Sequence, residues 1–168
     1  MMTVIIILCS WITIPLPVPI TLQTFALYTA LLLLGGKMGT ISLLLYILLG
    51  AAGLPVFSSF SAGFAHLLSP TGGYILGFLL CALLYLATEK LTKNRKILKA
   101  LVLFAGTLLC YTTGTLWFVF YANSHTSFFA ALAVCVLPYV IPDILKLITA
   151  IFISDKVKPI INKSSRND

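Results

Sequence analysis

Asp143 and Lys146 stand three residues apart in a stretch that is otherwise apolar, a spacing that places both side chains on one face of a helix. A carboxylate can accept N–H groups and an ammonium can donate to a carbonyl, so together they can grip a polar, amide-like ligand. A lone charge at such depth costs from about 2.5 to more than 10 kcal/mol, and residues of this kind normally face a bundle interior and mark a solute's route. The competing reading is an ion pair that only holds a helix against its neighbour. Apolar residues would do that at lower cost, and no other charge falls within the same apolar depth, which favours a polar ligand. Acid–base chemistry has little support from one carboxylate and one lysine. The Ser residues lack a triad partner, no Walker loop is present, and His66 and His125 lack the spacing of metal ligands.

Other polar groups can face the same site. Gln23 and Thr24 open one apolar segment, Tyr111, Thr112 and Thr113 lie midway along another, and Ser58, Ser59 and Ser61 sit in a connection. Ser and Thr in apolar helices also bond their own backbone or a neighbouring helix, so each has a purely structural alternative. Trp11, Tyr28, Tyr46 and Trp117 read as packing or interface residues. Cys9, Cys81, Cys110 and Cys135 have no C-x-x-C spacing and read as small apolar residues. Gly73 and Gly77 form a small-xxx-small pair suited to close helix packing.

The elements that carry these residues follow from composition. Of 168 residues, 60% are hydrophobic and 9% charged, against roughly 25% charged in a soluble domain. The apolar residues come in blocks of helix length without period-2 alternation, which excludes a membrane barrel and predicts an all-α integral membrane protein with six transmembrane helices. The spans are expected at about 2–14, 20–34, 38–52, 74–88, 98–121 and 127–153, forming one domain and followed by a basic tail at 156–168. The first is short for a span, so it is either incomplete or begins upstream of Met1; it has no basic leader region or A-x-A site to make it a cleaved signal. Pro15, Pro17 and Pro19 end it in an extended turn. Pro138 and Pro142 interrupt the sixth. Residues 53–73 carry no Asp, Glu, Lys or Arg but are rich in Gly, Ser, Pro and Phe, which predicts an ordered loop over the bundle mouth.

Charge placement gives the topology. With both termini cytoplasmic, every one of the 11 Lys and Arg residues except Lys146 falls in an inner segment, and the loop at 53–73 lies outside. This distribution accounts for the net charge of +7 without nucleic acid, for which no aromatic–basic interleaving is present.

Five ordered motifs then carry a resemblance: 17–25 (PVPITLQTF), 53–57 (GLPVF), 69–74 (SPTGGY), Tyr111-x-x-Gly114-x-x-Trp117 and 142–146 (PDILK). Together, and over nearly the whole chain, they resemble the BioY family, the biotin-capturing S component of energy-coupling-factor (ECF) vitamin transporters. The resemblance implies a multi-pass protein of the bacterial cell membrane that binds biotin from outside. It also implies partners, a transmembrane coupling protein and a pair of ABC ATPases that hydrolyse ATP, so the chain itself is no enzyme and needs no cofactor. The ligand-binding set expected on this basis is Asp143 and Lys146 for the ureido ring, with Ser61, Gln23, Tyr111, Ser58 and Tyr74 around it. Two departures stand out. Some members carry Arg directly after Gly-Gly-Tyr where this chain has Ile75, which leaves the ligand carboxylate to loop hydroxyls, backbone N–H groups or Lys146. The Ala-x-x-x-Ala motif that many S components carry in the first helix is missing here. The alternative of a different class is a stand-alone carrier or channel for a small anionic or ureido-bearing solute.

Overall fold

The computed structural model describes residues 1–14, 18–92, 95–121 and 128–164, with backbone only for 128–131 and 161–164. The chain is mostly helical. Helix α1 (Met2–Trp11) leads into a short antiparallel ribbon in which β1 (Thr13–Ile14) pairs with β2 (Ile20–Thr21). The turn expected at Pro15 and Pro17 lies outside the described residues.

Helix α2 (Gln23–Ala51) runs through the two segments expected at 20–34 and 38–52 without a loop between them. Its helical geometry breaks at Gly35, where φ is 83°, a left-handed value open to glycine. A Cβ on Gly39 would lie 3.1 Å from the Leu31 Cα, although in a straight helix those residues are about 12 Å apart along the axis. The two arms therefore fold back on each other as a hairpin. Gly36 packs at its tip against Leu86, whose Cα would lie 2.7 Å from an added Cβ.

Beyond Ala51 the loop expected at 53–73 contains a 3₁₀ turn at Ser58–Phe60 and helix α3 (Phe64–Leu67). Helices α4 (Gly72–Thr92) and α5 (Lys96–Tyr121) then pair closely, since Gly77 lets the Cys110 backbone approach to where a Cβ would meet its Cα at 2.7 Å.

Helix α6 (Phe128–Cys135) is followed after Val136 by α7 (Leu137–Ser164). The two expected interruptions thus differ. Pro138 stands at the second position of α7, where a missing N–H costs no helix bond, while Pro142 lies inside the helix. Helix α7 also continues through the segment expected as a tail, as far as Ser164; Asn167 and Asp168, with Ser165 and Arg166, lie outside the described residues.

Among the described residues, four helical stretches are long and apolar enough to cross a membrane: Gln23–Ala51, Gly72–Thr92, Lys96–Tyr121 and Leu132–Ile160. Inside, Ile6, Leu27, Leu31, Leu43, Leu103 and Ala150 form a buried core. Outside, Leu44, Leu48, Leu101, Leu108, Leu145 and Ile148 are exposed. An apolar exterior on helices whose backbone bonds are internally satisfied is what lipid as solvent requires. The protein is a multi-pass membrane protein.

Candidate functional site

Asp143 projects from α7 into the bundle with its side chain only 9% exposed, and Lys146, one turn on, is 11% exposed. Helix α7 alone supplies the ion pair, Lys146 Nζ donating to Asp143 Oδ1 at 2.8 Å. Two further helices reach the same carboxylate. Thr24 Oγ1, at the start of α2, donates to Oδ1 at 3.1 Å, and the Tyr111 hydroxyl of α5 donates to Oδ2 at 2.7 Å. Three donors around one buried carboxylate keep the charge compensated and lock α2, α5 and α7 together at this depth.

The cluster forms part of the wall of a cavity of about 780 Å³, including the space open at its mouth. Much of the rest is apolar, with Val18, Leu27, Ile75 and Phe78 in the lining. Tyr28 and Thr107 add a second polar contact at 2.6 Å; since Thr107 donates onward to the Leu103 carbonyl, Tyr28 is the donor. Tyr139 of α7 donates to the Val18 carbonyl and ties that wall to the segment just before β2. Two lining groups, Gln23 Nε2 and the Tyr46 hydroxyl, are buried without a hydrogen-bond partner among the described residues. Such donors in a cavity wall are available to a ligand.

Loop residues Phe57, Ser58, His66 and Thr71 also line this cavity. Phe57 is fully buried, meets Tyr46 edge-on at 5.5 Å and stacks on His66 at 5.0 Å. Its ring fills the space above Gly50, where an added Cβ would lie 2.1 Å away. Helix α1 fastens the loop from outside, Trp11 Nε1 donating to the Pro55 carbonyl at 2.9 Å and Ser10 Oγ to the Val56 carbonyl at 2.5 Å. Burial holds the His66 imidazole below its ordinary pKa of 6.5, so it is neutral at pH 7, as its stacking on Phe57 suits.

Of the residues singled out in the sequence, Asp143, Lys146, Gln23, Tyr111, Ser58 and Tyr74 line this cavity, and Thr24 joins them. Ser61 does not. Its hydroxyl donates to the Ser58 carbonyl at 2.5 Å and lies 3.4 Å from His66 Nε2, so it shapes the turn that presents Ser58. Thr112 and Thr113 bond back to the Leu109 carbonyl. Tyr28 and Tyr46 enter the lining although the sequence reads them as packing residues, and Thr107, Tyr139, His66 and Thr71 join them. Three of these had a signal: Tyr28, Thr107 and Tyr139 each lie one helical turn from Thr24, Tyr111 and Asp143 respectively.

A family model described as the BioY family matches residues 1–163. The chain belongs to the BioY family. Among its relatives, the biotin transporter BioY of Thermotoga maritima is 39% identical over 158 residues, covering 93% of this chain and 90% of that one. The probable biotin transporter BioY of Pyrococcus horikoshii is 39% identical over 142 residues, covering 84% and 82%. A crystal structure of the S-component for biotin from an ECF-type ABC transporter superposes with a TM-score of 0.85 at 29% identity, covering 94% of this chain and 87% of that one. Ile75 is buried and adds an apolar surface to the cavity.

Proposed function

We propose that the chain binds biotin with high affinity and takes it up as the substrate-binding subunit of an ATP-driven ECF vitamin importer. The carrying observation is the Asp143 cluster, a compensated carboxylate in a largely apolar cavity, in a fold shared with the S-component for biotin. Biotin has an apolar middle, a ureido ring with two N–H donors and a carbonyl, and a carboxylate tail. A carboxylate offers about four lone-pair sites. Three are taken in Asp143, which leaves room for a ureido N–H. Lys146 spends one of its three N–H groups on Asp143 and can give another to the ureido carbonyl. Leu27, Ile75 and Phe78 suit the apolar middle, and the unpartnered Gln23 and Tyr46 donors, with Ser58, suit the carboxylate.

Six spans with both termini cytoplasmic fit this reading, α1 and the two arms of α2 providing three, α4 and α5 two, and α6 with α7 one. The loop then caps the outer mouth of the cavity. The chain is a transport subunit rather than an enzyme, and ATP hydrolysis belongs to a coupling protein's ABC ATPase partners.

The test is equilibrium binding of labelled biotin to purified protein. Asp143→Asn leaves Lys146 buried without its counter-charge, and a loss of about 100-fold in affinity is expected. Tyr111→Phe keeps both charges and removes one donor, for a loss of about five-fold. Wild-type affinity in both variants would sink the site assignment, and absence of binding by the wild type would sink the function. A stand-alone carrier is separated by uptake: cells without coupling protein and ATPases should accumulate no biotin through this chain.

A further inference from the structure

At the end of the bundle away from the Asp143 cluster, the first arm of α2, α5 and α7 enclose a second cavity of about 350 Å³, including its open side. Asp155 in its lining stands about 18 Å of helix beyond Asp143. Leu32 and Ile151 give the cavity apolar walls, while Lys96, Lys99 and Lys158 bring three ammonium groups to it against the single carboxylate of Asp155. That carboxylate is already matched, Lys96 Nζ lying 2.7 Å from Asp155 Oδ2. Lys158 donates to the Leu32 carbonyl at 3.2 Å and keeps two N–H groups for another acceptor. Lys99 has no ion-pair partner among the described residues.

Ser154 makes this more than a basic patch. Many hydroxyls inside the helices bond back to the preceding turn, as Thr149 does to Leu145 and Thr107 to Leu103, whereas Thr115 and Ser154 do not. Ser154 is 4% exposed, lines the cavity, and its Oγ has no hydrogen-bond partner among the described residues. A buried hydroxyl left unbonded is costly, and an acceptor brought into the cavity would satisfy it.

We propose that this cavity binds the phosphate of an anionic phospholipid, with Ser154 Oγ and the ammonium groups of Lys99 and Lys158 donating to its oxygens. A lipid fits better than a free anion because the apolar walls adjoin the exposed Ile148 and Phe152 of α7, a surface on which an acyl chain can lie. Basic pockets between helix ends are suited to such headgroups. The proposal is independent of what the Asp143 cavity binds.

The test uses the full chain, delipidated in detergent, titrated with phosphatidylglycerol and read by native mass spectrometry as lipid retained per chain. One retained phosphatidylglycerol is expected, with phosphatidylcholine not retained. Lys99→Gln and Lys158→Gln should each weaken retention about five-fold, and Ser154→Ala by a similar factor although it removes no charge. The double variant Lys37→Gln/Lys90→Gln removes two exposed cations outside the cavity and should retain lipid like the wild type. Wild-type retention by Ser154→Ala, or equal loss in the Lys37/Lys90 control, overturns the proposal. Inorganic phosphate at millimolar concentration should not displace the lipid; displacement would assign the site to a soluble anion and overturn the lipid reading.

Discussion

At the Asp143 carboxylate the donors come from three helices, so a ligand that binds there finds the acceptor already oriented and the neighbouring charge already compensated. A different case is that of Gln23 Nε2 and the Tyr46 hydroxyl, buried donors of the cavity wall that make no hydrogen bond among the described residues. If they meet the biotin carboxylate, Tyr46→Phe should cost about ten-fold in affinity for biotin, a hydrogen bond to a charged group being worth roughly 1.5–3 kcal/mol. The same variant should bind biotin methyl ester nearly as the wild type does, since the ester lacks the charge. Competition binding with both ligands decides it, and equal losses would move the carboxylate elsewhere. Sequence alone reached Asp143, Lys146, Gln23, Thr24 and Tyr111 because a charge, an amide or a hydroxyl in an apolar segment is conspicuous. Tyr28, Thr107 and Tyr139 were within reach through their one-turn spacing. Tyr46 and His66 were not, since their place in the wall depends on Phe57 folding back over Gly50, a long-range contact with no local signature.

Helices read from apolar blocks were found where the blocks are, but their joints depended on particular residues. Gly35 and Gly36 were legible as a stop, yet only the left-handed φ of Gly35 and the approach of Gly39 to Leu31 show that the turn needs no intervening loop. Pro138 and Pro142 look alike in sequence and part company in the fold, one opening α7 and the other inside it. The small-xxx-small pair Gly73 and Gly77 leaves its purpose open until α5 is placed against it. A Cβ on Gly77 would meet the Cys110 Cα at 2.7 Å and Thr113 Oγ1 at 2.8 Å, so backbone, and not a yielding side-chain tip, blocks growth there. Gly77→Val should therefore force α4 and α5 apart and destabilise the protein by about 2–4 kcal/mol. Leu83→Ala, on the exposed face of α4, should cost less than about 1 kcal/mol. Thermal melting of the two purified variants checks the contrast, and comparable losses would mean that the α4–α5 seam is not the tight one. Since Ile75 and Phe78 lie on the same helix, a shifted α4 should also weaken ligand binding.

Across the whole molecule the two ends differ in charge as sharply as in chemistry. Lys158 reaches the Leu32 carbonyl close to the Gly35 hairpin tip, Lys96 pairs with Asp155 at the same end, and Lys37 directly follows Gly36 at the tip. The loop end, with Phe57, Ser58, Ser61 and His66, carries no Lys or Arg between residues 53 and 73. The bias of cytoplasmic segments toward basic residues supports the proposed topology, in which the hairpin tip faces the cytoplasm and the ligand cavity opens outward. Cysteine labelling tests this directly, because Cys81, Cys110 and Cys135 are buried and Cys9, half-buried, can be replaced by Ser. In that background Ser61→Cys should react with a membrane-impermeant maleimide in intact cells, while Lys37→Cys should react only after permeabilisation. Saturating biotin should slow labelling at Ser61→Cys, since Ser61 braces the turn that presents Ser58 to the cavity, and leave Lys37→Cys unchanged. Labelling of Lys37→Cys from outside would invert the topology. It would also place the cavity mouth on the cytoplasmic side, where a protein that captures an external vitamin has no use for it.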